Sequence, residues 1–232
     1  MIMYGLYWDW TYLLVIVGAV ICLLASARVK SAYKKYAQVR AMSGMTGAQV
    51  AERILQQNGI YDIAVVRVAG TLTDHYSAKD HRVSLSETTY DSASIAAIAV
   101  AAHECGHVCQ NNFGYGPYSV RRALVPAANI GAQLGLPIVI IGLIIGRFPA
   151  IITAGILIFS LAVLFQIVTL PVEFDASRRA LVMLEQYGIL GQEEKQSAKK
   201  VLNAAALTYV AAAASSVLQL LRLILLANRR RD

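Results

Sequence analysis

The sequence predicts a mainly α-helical, multi-pass membrane protein built around a small unit that combines one motif helix with a short β-hairpin. Three observations carry this expectation. Of 232 residues, 57% are hydrophobic and only 15% charged, against about 25% charged in an average soluble domain. The mean hydropathy is positive. Long apolar runs alternate with basic, polar stretches, as they do where a chain crosses a bilayer repeatedly. Lys and Arg number 21 against 14 Asp and Glu, a formal charge of +7. No stretch interleaves those cations with aromatic residues, so nucleic acid is not an expected partner, and the excess is assigned to lipid contacts and cytoplasmic loops.

Residues 1–27 form the first transmembrane anchor. The apolar run Leu13 to Ala27 follows an aromatic belt of Tyr4, Tyr7, Trp8, Trp10 and Tyr12. No cation precedes the run, whereas Arg28, Lys30, Lys34, Lys35 and Arg40 follow it, so the expected orientation has the N-terminus outside. Residues 28–124 then form a cytoplasmic unit. In it Thr46 and Gln49 make a capping box for a helix burying Val50, Ala51, Ile54 and Leu55, with Gly59 as its stop. Ala64 to Val68 reads as a strand. Thr71 to Tyr76 and His81 to Ser86 read as a hairpin with one buried face, Val83 and Leu85 inward, and with the second arm at the sheet edge. Asp91 or Ser92 caps a helix from about Ala93 to Gln110.

Residues 125–171 form a transmembrane hairpin, Val125 to Ile145 and Ile151 to Leu170, whose first arm carries Gly131, Gly135, Pro137 and Gly142 for close packing. Residues 172–203 return to the cytoplasm. Residues 204–232 are a hydrophobic helix with a basic tail, Arg229 to Arg231, and here length and charge disagree. The run is long enough to cross, but crossing puts the three arginines outside. Arg222 then snorkels to the outer interface; the alternative keeps every arginine inside, by packing into the cytoplasmic unit or by dipping in and returning.

The chemistry lies in His103-Glu104-Cys105-Gly106-His107. The apolar residues before it, Ile95 to Ala102, contain no glycine or proline, which places the motif on a helix. Histidines at i and i+4 share one helical face and can meet one tetrahedral metal, while the glutamate between them can take a proton from a metal-bound water. A catalytic zinc takes three protein ligands and leaves one position open. The topology favours Glu173 as the third, because two crossings return the chain to the side of His103 and His107. Asp175 is the competing ligand or the acceptor of a histidine N–H. His75, with Asp74 and Tyr76, either reaches the site as an oxyanion donor or fixes the hairpin end locally. Arg178 and Arg179 either stabilise a charged intermediate or serve as topology signals. Cys22 lies in an apolar run, and Cys105 and Cys109 are read as packing residues.

Leu72-Thr73-Asp74-His75-Tyr76, Val83-Ser84-Leu85-Ser86, Ala101 to His107 and Glu173-Phe174-Asp175-Ala176-Ser177 together resemble the YugP-like membrane zinc metallopeptidases over nearly the whole chain. More distantly the chain is similar to the HtpX and CAAX-prenyl-protease metallopeptidases. The resemblance implies a zincin-like unit and Glu173 as third ligand. Ser177 departs from the Asp of the distant relatives, leaving either this element or Asp175 to supply the acidic partner. The expected protein is a zinc endopeptidase of the cell membrane, multi-pass, with one Zn2+ per chain, its site facing the cytoplasm and Glu104 as general base. Its partners are a peptide or protein substrate, membrane-associated in one version, the lipid bilayer, and a regulatory membrane protein of unknown identity. The alternative from another class is a non-proteolytic membrane adaptor with a structural zinc.

Overall fold

The structure, a computed structural model, describes residues 9–145 and 149–228. Tyr4, Tyr7 and Trp8 of the aromatic belt, residues 146–148 and Arg229 to Arg231 lie outside the described residues. In chain order the elements are α1 (Tyr12–Ala37), α2 (Gly47–Gln57), β1 (Ala64–Val68), β2 (His75–Ser77), β3 (Arg82–Ser86), α3 (Glu87–Tyr90), α4 (Ile95–Asn112), α5 (Gly116–Ile145), α6 (Pro149–Gln186) and α7 (Gln192–Asn228). The protein is mainly α-helical, and α1, α5, α6 and α7 are long and apolar enough to cross a membrane.

The chain divides into two compact units. One comprises the chain up to Ala25, Val120–Thr169 and the chain from Tyr209; the other comprises Ser26–Ser119 and Leu170–Thr208. In the first, small residues let helices approach closely, which is how membrane helices gain contact where no hydrophobic effect drives them together. A Cβ on Gly135 would lie 2.7 Å from Phe159 Cα, so α5 meets α6 at backbone distance. Val139, Ile152 and Leu223 bury one another there. The Arg222 guanidinium sits 4.1 Å from the centre of the Tyr12 ring. Both α5 prolines, Pro126 and Pro137, lie within a continuous helix. No turn interrupts α7 between Gln192 and Asn228.

The second unit has the apolar core. Thr46 caps α2 through a capping box with Gln49, and Val50, Ala51, Ile54 and Leu55 are buried. They pack with Ile95, Ile98, Ala102, Cys105, Leu184 and Leu202. Three details differ from the sequence reading. Ser94, not Asp91 or Ser92, caps α4 by accepting from Ala97 N–H, and Ser92 Oγ donates to Ser94 Oγ instead. The hairpin forms, pairing Tyr76 with Val83, but β3 is not an edge. The sheet order is β1-β3-β2, with β1 running parallel to β3. β1 fills the second edge of β3, and along the strand Ser84 and Ser86 are as buried as Val83 and Leu85. The strand expected at the sheet edge is therefore its middle, and the sheet's free edges belong to β1 and β2.

Candidate metal centre

The site is made by α4 and α6. Alanines and small residues line α4, and on α6 Val172, Ala176 and Ala180, spaced four apart, are all fully buried. This spacing puts one smooth face of α6 toward its neighbour. The two helices touch at Gly106, where an added Cβ would lie 2.6 Å from the Ala176 carbonyl oxygen. No other residue type fits at that separation without moving backbone. The close approach sets Glu173 opposite the two histidines.

His103 Nε2 lies 3.2 Å and His107 Nε2 lies 3.5 Å from Glu173 Oε2. The imidazole rings are nearly perpendicular, with centroids 4.7 Å apart. Glu173 is only 1% exposed, and His107 and Glu104 are also buried. Each histidine's remaining nitrogen is occupied. Ser177 Oγ is 3.1 Å from His103 Nδ1, and Gln110 Oε1 is 2.9 Å from His107 Nδ1. The Gln110 amide cannot turn over, since its Nε2 donates to the Val172 carbonyl at 2.7 Å and to Asp175 Oδ2 at 3.0 Å. Its Oε1 is thus an acceptor and His107 Nδ1 carries a proton, which leaves Nε2 as the nitrogen that faces Glu173. Asp175 in turn accepts from Arg178 and Arg179. Burial pulls the His107 pKa down, but the hydrogen bond and charge of Glu173 outweigh it and raise the pKa above its ordinary value.

These donors fit a zinc ion. Two neutral imidazole nitrogens and a carboxylate form a preferred catalytic set, and the three donor atoms lie within 4.8 Å of one another. Bonds of ~2.0–2.1 Å at a tetrahedral angle separate neighbouring ligand atoms by ~3.3 Å, close to the spacings seen from Glu173 Oε2 to the two Nε2 atoms.

The other predicted residues fall elsewhere. Asp175 reaches His107 only through Gln110. Arg178 is spent on Asp175 and is otherwise largely exposed. His75 is exposed, with Nδ1 2.9 Å from the Thr73 carbonyl, and Asp74 accepts from Ser86 N–H and Oγ–H at the hairpin end. Tyr76 accepts from Asn111 at 3.1 Å, tying β2 to α4. Cys105 and Cys109 are buried; burial pushes the Cys105 thiol well up and that of Cys109 up to about 11, so both stay protonated. The sequence reading missed Gln110 and the contact of Ser177 with His103. Gln110 had a signal, because a residue three after a motif histidine shares its helical face.

Comparison with known proteins gives two matches. The model of a family described as "Putative neutral zinc metallopeptidase" matches residues 11–228. The "Putative membrane protease YugP" of Bacillus subtilis (strain 168) is 45% identical over 208 residues, covering 90% of this chain and 92% of the relative. No solved structure matches significantly.

Replacing Glu173 with Ala removes a donor atom and should abolish tight zinc binding, whereas Asp175→Ala, acting through Gln110, should weaken it about 10–100-fold. Zinc titration of the purified full-length variants against a chromophoric chelator checks this, and the reverse order would make Asp175 the ligand.

Proposed function

The chain belongs to this family of neutral zinc metallopeptidases, and from that premise we propose that it is a membrane-embedded endopeptidase that holds one zinc per chain through His103, His107 and Glu173. The observation that carries the reading is the buried cluster of two histidines and one glutamate, with Glu104 on the same helix as the histidines. A zinc held by these ligands supplies a Lewis acid and lowers the pKa of a bound water to about 7. Ser177 and Gln110 hold the imidazoles with their Nε2 atoms turned inward. Glu104, three residues before His107 and so on its helical side, accepts the proton of the attacking water and passes it to the leaving amine. Burial of the cluster excludes competing solvent and strengthens the electrostatics. Three gathered donors among the described residues favour an open, catalytic coordination over the closed site that a structural zinc in an adaptor would have.

The substrate in this reading is a peptide or protein, membrane-associated because the chain is. The site faces the cytoplasm, supported by Arg28, Lys30, Lys34, Lys35 and Arg40 behind the first apolar run. A fourth crossing by α7 is supported by the Arg222 contact with Tyr12, which sets the far part of α7 beside the start of α1.

Glu104→Gln should keep near-normal zinc content and lose several orders of magnitude of activity on a casein-like or membrane substrate, because the amide keeps the shape and loses the basicity. Cleavage at the wild-type rate would remove Glu104 as the base. For topology, a single cysteine placed after Asp232, with Cys22 replaced by Ala, should react with an impermeant thiol reagent on intact cells; labelling only after lysis would exclude the fourth crossing.

A further inference from the structure

The second unit also holds a cavity of about 490 Å³ between α1 and α7, within the range that small-molecule sites take. Three cations line it: Arg28 and Lys35 from α1 and Lys200 from α7. No acidic residue joins them, and among the described residues none of the three is paired with a carboxylate. Lys35 lies 5.5 Å from the Tyr36 ring centre, its ammonium still available to an anion. Ser31 and Asn203 add neutral donors, and Ala32, Ala204 and Leu207 add apolar wall.

The lining follows one rule on both helices. Residues 28, 31, 32 and 35 of α1 and residues 200, 203, 204 and 207 of α7 each have the spacing i, i+3, i+4, i+7, which is a single helical face. The α1 face thus carries a cation at each end, Arg28 and Lys35, and the α7 face carries Lys200 at the end farther from its apolar run. Their place along the chain sets the depth. Arg28 directly follows the apolar run that ends at Ala27, and Lys200 shortly precedes the run that starts at Ala204. A cavity there stands at headgroup level, where a polar end meets cations and an acyl chain can lie along the adjoining apolar residues.

We propose that this cavity binds the phosphate-bearing headgroup of an anionic glycerophospholipid. Three unpaired cations with two neutral donors match a phosphodiester and its polar substituent, and basic pockets between membrane helices take such headgroups. The apolar wall and the adjoining runs favour a lipid over free phosphate, which would gain nothing from Ala204 or Leu207. The site shares no side chain with the metal cluster, and the inference does not rest on peptidase activity.

The test uses the full-length protein in neutral detergent and reads the thermal-unfolding midpoint during titration with dihexanoyl phosphatidylglycerol, dihexanoyl phosphatidylcholine or inorganic phosphate. The phosphatidylglycerol should raise the midpoint saturably, with little response to the other two at matched concentration. Removing three cations in R28Q/K35Q/K200Q should weaken the half-saturating concentration on the order of 100-fold, and Lys200→Gln alone about fivefold, taking ~1 kcal/mol per cation. The single variant leaves the α1 charges in place and serves where the triple variant does not fold. K30Q/K34Q removes two cations from exposed positions of α1 outside the cavity and should respond as wild type. A wild-type response from Lys200→Gln, an equal loss in K30Q/K34Q, or an equal effect of inorganic phosphate would each overturn the assignment.

Discussion

The site depends on one steric constraint, the contact of Gly106 with the Ala176 carbonyl. An added Cβ there would stand 2.6 Å from backbone oxygen, far inside van der Waals contact, so α4 and α6 reach their separation only because this position has no side chain. Everything else in the cluster is measured from that contact. The fully buried stripe of Val172, Ala176 and Ala180 seats α6 on α4, and Glu173, next to Val172 on the helix, then comes within 3.2 Å of His103. The glycine inside the motif is thus part of how the third donor arrives.

Around this contact, hydrogen bonds fix the donors' direction. Gln110 joins His107 to Asp175, and Asp175 is held by Arg178 and Arg179. The carboxylate that would elsewhere hold a ligating histidine directly is here one amide removed, and a serine performs that role for His103. An amide and a hydroxyl orient the rings without adding negative charge to a buried site that already holds Glu173 and Glu104. That arrangement limits the electrostatic cost of the cluster, since each further buried charge would need its own partner.

The features readable from sequence were those governed by local rules. The capping box of Thr46 with Gln49, the buried face of α2, the helical placement of His103 and His107 and the apolar runs all follow from spacing within a few residues. Features set by distant segments were not readable. The parallel pairing of β1 with β3 joins strands separated by the whole of β2, and the alternation along β3 makes its serines read as solvent-facing although they are fully buried. The choice of Ser94 over Ser92 as cap turned on backbone geometry among neighbouring hydroxyls. Ser177 gave no sign that it would meet His103, because that contact exists only after α6 is seated against α4.

The most direct measurement of the account is the zinc content of purified full-length Gly106→Ala after dialysis against a weak chelator, read beside helicity by circular dichroism. Every proposed ligand is intact in this variant, and only the separation of α4 and α6 changes. The account predicts near-native helicity with zinc well below one ion per chain. Retention of one zinc per chain at wild-type affinity would contradict it, and would mean that the close contact at Gly106 does not position Glu173.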